Sequence, residues 1–186
     1  GDFDMTPDGR FITFTSTQVG LAAAPFTPCE TGVYPQEKPV CQHVYFYDVQ
    51  TGALELISVS SEGTPGSQPS SGAMVSPDGR FVAFTSSADN LTLAGGPSCE
   101  NTAPEYCTAL YLRDRQTGQT YLLNQAWTGY PSNRTATLFG FTPDSRHVIY
   151  HSAAEDILPG LPAQPADPAQ EVMRAFIVDI DRLIGN

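Results

Sequence analysis

Short apolar runs recur along this chain, each bounded by residues that interrupt regular structure. Phe11-Ile12-Thr13-Phe14, Phe81-Val82-Ala83-Phe84 and Val148-Ile149-Tyr150 carry apolar side chains at both odd and even positions. Side chains alternate across a strand, so these runs predict short strands buried on both faces rather than strands with one wet side. The runs are separated by Ser/Thr-Pro-Asp-Gly and Asp-x-x-Thr-Gly segments. In the first of these, proline presets φ at one corner, aspartate bonds nearby backbone amides and glycine accepts positive φ. Apolar residues on either side make each segment a tight turn between antiparallel strands.

The turns repeat. Thr6-Pro7-Asp8-Gly9-Arg10-Phe11, Ser76-Pro77-Asp78-Gly79-Arg80-Phe81 and Thr142-Pro143-Asp144-Ser145-Arg146-His147 align without gaps and are nearly evenly spaced. A second motif keeps step with the first: Tyr45-Phe46-Tyr47-Asp48, Tyr111-Leu112-Arg113-Asp114 and Ile177-Val178-Asp179. Its aspartates, Asp48, Asp114 and Asp179, hold nearly the same interval as the turns. Two motifs in phase define a repeated four-stranded unit. Its strands are predicted at about 3–5, 10–16, 43–48 and 53–58, then 72–75, 80–86, 109–114 and 119–124, then 137–141, 146–152 and 174–179. Ser145 stands where the other copies have glycine, so a left-handed conformation there would cost about 1 kcal/mol.

The Ser-Pro-Asp-Gly-Arg-Phe-Val-Ala-Phe stretch, followed by Leu-Tyr-Leu-Arg-Asp-Arg-Gln-Thr-Gly, resembles the WD40-like, TolB-type β-propeller repeat of bacterial exported proteins. The resemblance covers nearly the whole chain and implies an all-β architecture of three four-stranded antiparallel blades. Blade one with its linker takes residues 1–70, blade two with its linker 71–136, and blade three 137–186, its outer strand missing or irregular. Propellers close with about 4–8 blades. Three therefore call for further blades or partner chains to cover the faces of the terminal blades.

Composition narrows the partners. Of 186 residues, 40% are hydrophobic and 16% charged, enough for a packed core. Twenty acids against nine bases give a net charge of −11, and Lys38 is the only lysine. No basic patch exists to neutralise phosphates or anionic lipid, which argues against nucleic-acid binding. No run of about 18 apolar residues suggests a direct membrane span. The absence of a leader says nothing about export, because the chain begins abruptly in a strand-like segment.

Four cysteines fall in two local pairs, Cys29 with Cys41 and Cys99 with Cys107, inside corresponding long connections. Zinc sites favour tighter Cys-x₂₋₄-Cys spacing. Two disulfides are the expectation, and with them an oxidising compartment: secreted, periplasmic or cell surface. Asn90-Leu91-Thr92 and Asn133-Arg134-Thr135 match glycosylation sequons.

Antiparallel order sends alternate connections to opposite ends of each blade. The tight turns share one end; the connections over 17–42, 59–71, 88–108, 125–136 and 153–173 share the other. Connections this long are commonly functional, so that end is the expected contact surface. Trp127 and Tyr130 lie within it and are the expected contact residues for a protein or glycan partner. His147 and His151, roughly 13 Å apart on one strand, read as core or interface residues rather than metal ligands. Asp89, Glu155 and Asp156 read as solvated acids, and Asp2 and Asp4 as residues near the channel. No nucleophile elbow, zinc-protease motif, phosphate loop or haem attachment site occurs, and no cofactor is expected. A binding or scaffolding module is therefore expected. The alternatives are the propeller part of a peptidase, hydrolase or lyase with its catalytic residues elsewhere, and a structural subunit completed by other chains.

Overall fold

The computed structural model describes residues 3–18, 20–21, 41–97, 107–165 and 171–185. Eleven strands are found among them: β1 (Phe3–Met5), β2 (Phe11–Ser16), β3 (His43–Asp48), β4 (Leu54–Leu56), β5 (Ser70–Val75), β6 (Phe81–Ser86), β7 (Ala109–Asp114), β8 (Gln119–Leu122), β9 (Ala136–Phe141), β10 (His147–Ser152) and β11 (Arg174–Asp179). A short helix, α1 (Ile180–Ile184), follows. The strands form three antiparallel sheets in simple up-and-down order: β1-β2-β3-β4, β5-β6-β7-β8 and β9-β10-β11. This is blade topology, all-β and repeated three times. The described sheets stack side by side and form no closed ring.

The repeated turns are wired identically. The hydroxyls of Thr6, Ser76 and Thr142 donate to Asp8, Asp78 and Asp144 at 2.6, 2.5 and 2.6 Å. Each of these hydroxyls also accepts the amide that opens the next strand, from Phe11, Phe81 or His147, at 3.0, 2.9 and 3.1 Å. The aspartates accept the amides of Arg10, Arg80 and Arg146. Hydrogen bonds from the threonine hydroxyl first, and then from the arginine amide, hold the Asp8 and Asp144 carboxyls below their ordinary range. Ser145 adopts φ 59°, the left-handed conformation that Gly9 and Gly79 adopt at 72°. Its hydroxyl accepts the Asp78 amide at 3.2 Å, a contact between sheets that glycine could not make.

The same arginines return across the sheet to the end of the third strand. Arg10 pairs with Asp48 at 3.2 Å, and Arg80 grips Asp114 through both Nε and Nη2, at 3.1 and 2.7 Å. Burial alone would raise the Asp114 carboxyl, but hydrogen bonds from Arg80, the Gln116 amide and Thr117 outweigh it and hold the group low. The third sheet departs here. Asp179, the counterpart of Asp48 and Asp114, caps α1 by accepting the Arg182 amide, and Arg146 pairs with Asp181 instead. The Thr-Gly that turns the chain after β3 and β7 is absent after β11, and the chain enters a helix.

The middle sheet is apolar on both faces, and each face has its own neighbour. Val82, Phe84, Ala109 and Tyr111 pack with Val44, Phe46 and Ile57 of the first sheet. Phe81, Ala83, Leu110 and Leu112 pack with Leu138, Val148, Tyr150 and Ile180 on the other side. The ring of Phe11 lies against Gly79, leaving no room for a side chain there. Arg115 adds a clamp: its guanidinium sits 3.3 Å from the Phe46 ring centroid, bonds Glu55 at 2.8 Å and donates to the Gly79 carbonyl at 2.6 Å.

The outer strands β4 and β8 stop short of the predicted 58 and 124. Side chains replace the ladder at those positions: Ser58 Oγ accepts the Val44 amide at 3.1 Å, and Asn124 Oδ1 accepts the Leu110 amide at 2.7 Å. Buried His43 bonds the same Ser58 through Nδ1, and desolvation pushes its pKa down.

Three substitutions have expected outcomes in denaturant unfolding. Gly79→Ala destabilises by well over the ~1 kcal/mol that a left-handed alanine costs, because its Cβ meets Phe11. Gly9→Ala, with only the Met5 sulfur 3.8 Å away, costs about that 1 kcal/mol and no more. Asp114→Asn lowers stability at neutral pH by about 2–3 kcal/mol, since the Arg80 guanidinium loses a charged partner. The Asp114 pKa is lower in the folded state, so this stabilisation is present above the unfolded value near 4 and is lost as pH falls through the folded one. The gap between parent and variant therefore closes in acid, which unfolding measured across pH would read.

Candidate functional site

The tight turns and the long connections emerge at opposite ends of the sheets, as the antiparallel order requires. The turn end is built from the repeated aspartate and arginine contacts. At the other end lie the connections between blades and the described parts of those between the second and third strands of each blade.

The two connections between blades share one backbone design, at equivalent places in successive repeats. Val59 bridges Pro65, and Gln125 bridges Pro131. Within each, a tight reversal closes: Ser60 N to Thr64 O and Gly63 N to Ser60 O in the first, Ala126 N to Tyr130 O and Gly129 N to Ala126 O in the second. Each then returns to its own sheet through Gly66 N to Ser58 O or Ser132 N to Asn124 O.

The following blade grips each connection from its long loop. Asn90 Oδ1 accepts the Ser67 amide at 2.8 Å, and its Nδ2 donates to the Pro65 carbonyl at 2.9 Å. Asp89 accepts the Ser67 hydroxyl at 2.7 Å. At the next seam, the Asp156 carboxylate accepts the Asn133 amide at 3.0 Å, and its carbonyl accepts the Trp127 amide at 2.9 Å. Glu155 accepts the Gln164 amide at 2.9 Å. Asp89 and Asp156, read from sequence as solvated, thus pin one blade to the next, whereas the Glu155 carboxylate braces its own loop. Asn90 and Asn133, the sequon asparagines, use their side chains in the same clamps, Asn133 through a 3.4 Å bond from the Glu155 amide. Asn90 and Asp156 hold equivalent places in successive repeats, so the repeat carried the signal; their different side chains hid it.

The two connections differ at their tips. In the first, the tip clasps the next blade: Ser61 Oγ accepts the Thr120 amide at 3.0 Å, and the Ser60 carbonyl accepts from Arg113 at 3.1 Å. In the second, Trp127 and Tyr130 occupy the places of Ser61 and Thr64, and both are 65% exposed. Their backbone is held by the hairpin, by Asp156 and by the bond from Gln125 Nε2 to the Gly129 carbonyl at 2.8 Å. Beside them an open groove of about 480 Å³ runs along the outer edge of β8, between Leu93 and Tyr130.

Of the other residues singled out from sequence, Cys41 and Cys107 are buried at the bases of their long loops, and neither is a free thiol. Cys29 and Cys99 lie outside the described residues, as does Asp2, so both disulfide pairings stay proposals. Asp4 accepts the Val75 amide at 2.9 Å and joins the innermost strands of the first two sheets. His147 and His151 are half-buried on the outward face of the third sheet, His151 edge-on to Phe139 at 4.7 Å. Among the described residues, no group of three or more His, Cys, Asp or Glu is placed to hold a metal ion, and no helix is long and apolar enough to cross a membrane.

No family model matches the chain, and no curated protein matches it. Among solved structures it is similar to TolB from Acinetobacter baumannii, at 18% identity over 94% of this chain and 31% of that one, with a TM-score of 0.45. It is similar to the tricorn protease at 13% identity, over 96% of this chain and 13% of that one, with a TM-score of 0.49. It is also similar to hydrazine synthase of Kuenenia stuttgartiensis at 16% identity, over 98% of this chain and 40% of that one, with a TM-score of 0.45. The chain spans less than half the length of each. On its own repeated turns, strand order and stacked sheets, it is a run of β-propeller blades.

Proposed function

We propose that this chain is a binding or scaffolding module of an exported β-propeller protein, with the long-connection end as its contact surface. The blades divide at 1–70, 71–136 and 137–186. The terminal faces receive further blades or a partner chain; the outward face of the third sheet, with Phe139 and Ile177 at 59% and 67% exposure, is where such a neighbour would pack. Two disulfides, Cys29–Cys41 and Cys99–Cys107, would staple the long loops and suit a secreted, periplasmic or cell-surface site.

The observation that carries this reading is the second connection between blades. Its backbone is as fully bonded as that of the first, yet its tip offers two aromatic side chains to solvent where the first has serine and threonine engaged in or near a clasp. Rigid, exposed aromatics suit a contact surface, because little side-chain freedom is lost on binding.

Site-specific photo-crosslinking in the producing cell tests it. A crosslinking side chain at Trp127 or Tyr130 is expected to give discrete adducts, and one at exposed Asp8 or Pro143 on the turn end none. Adducts confined to the turn end, or none from either end, contradict the reading.

A further inference from the structure

The groove beside Trp127 has a composition unlike the rest of this acidic chain. Its walls include Leu93, Thr120, Tyr121, Gln125, Thr128 and Tyr130, and none of its lining residues carries a charge. A chain of net charge −11 therefore presents here a neutral surface of aromatic, hydroxyl and carboxamide groups. Gln125 spends one amide hydrogen on the Gly129 carbonyl and keeps its oxygen unpaired among the described residues. Leu93 stands fully exposed on one wall, Tyr130 is two-thirds exposed on the other, and Trp127 projects from the same hairpin as Tyr130.

We propose that this groove binds a neutral oligosaccharide. The proposal rests on the reading of the long-connection end as a contact surface and names what one part of that end takes. A pyranose ring offers an apolar face of C–H groups, which stacks on an exposed aromatic ring, and a rim of hydroxyls, which both donate and accept. The Thr128 hydroxyl, the Tyr130 phenol and the Gln125 carboxamide match that rim without imposing a charge, while the Thr120 hydroxyl is already bonded to the Val59 carbonyl and Arg113. The volume falls within the roughly 300–1,000 Å³ of small-ligand sites. An acidic glycan would meet the repulsion of the whole chain. The first connection is the internal control: on the same backbone, with Ser61 and Thr64 in place of the aromatics, its tip is committed to the neighbouring blade.

Trp127 is the only tryptophan and sits on the hairpin that supplies Thr128, Gly129 and Tyr130 to the groove, so its emission reports on that hairpin. The full chain is titrated with maltotriose, cellotriose, N,N′-diacetylchitobiose and, as an anionic comparison, trigalacturonate. At least one neutral sugar is expected to shift the emission saturably at up to millimolar concentration, with trigalacturonate silent. By calorimetry, Tyr130→Ala weakens that binding about tenfold or more, while Tyr130→Phe largely retains it. Tyr130 is exposed, so both variants keep the parent circular dichroism. The inference is overturned by the absence of saturable binding of every neutral sugar in both measurements, by preferential binding of trigalacturonate, or by an affinity that Tyr130→Ala leaves unchanged. Protein adducts at Trp127 or Tyr130 together with no sugar binding would overturn the saccharide and leave the contact surface standing.

Discussion

Phe81 and Val82 are neighbours in sequence, yet their side chains must be buried in opposite directions, because a strand sends successive residues to opposite faces. Nothing within a single sheet can bury both. The middle sheet resolves this by having a sheet on each side, Val82 and Phe84 packing toward the first, Phe81 and Ala83 toward the third. Every other feature depends on that two-sided burial. The sheets must be spaced and turned so that apolar faces meet, and the polar contacts at their ends act to hold that alignment.

The polar contacts divide the work between the two ends. At the turn end, hydroxyl, aspartate and arginine fix where each strand begins, and the pair from Arg80 to Asp114 ties the second strand to the end of the third. Across the seam, Arg115 and the Ser145 hydroxyl link adjacent sheets. At the long-connection end, Asn90 and Asp156 bind each inter-blade connection to the following blade. Such wiring makes the second connection a firm platform, and the side chains on its tip are then free of structural duty. Trp127 and Tyr130 can be exposed because the backbone beneath them does not need their burial.

Much of this was legible in the sequence, and the reasons are local. β3, β7 and β11 fall at their predicted bounds because an aspartate ends each one. The positive φ of Ser145 follows from its alignment with Gly9 and Gly79. The outer strands were read too long because Ser58 and Asn124, unremarkable as residue types, take over backbone bonds with their side chains. Asp89 and Asp156 looked solvated because no local pattern reveals a partner that lies in the preceding connection between blades. The helix after β11 was hidden in the replacement of Thr-Gly, a loss that shows what the chain does not do there and not what it does instead. The groove along β8 depends on which wall each loop supplies, and spacing alone does not give that.

Native-state hydrogen exchange tests two-sided burial most directly. The amides of β6 and β7, enclosed by a sheet on each side, are predicted to exchange only through global unfolding. Ala175 and Ile177 occupy the positions at which Leu110 and Leu112 bond an outer strand, so their amides on the open edge of β11 are predicted to exchange orders of magnitude faster. Protection of β11 equal to that of β7, or fast exchange in β6 and β7 with the turns still protected, would contradict a stack organised around its middle sheet.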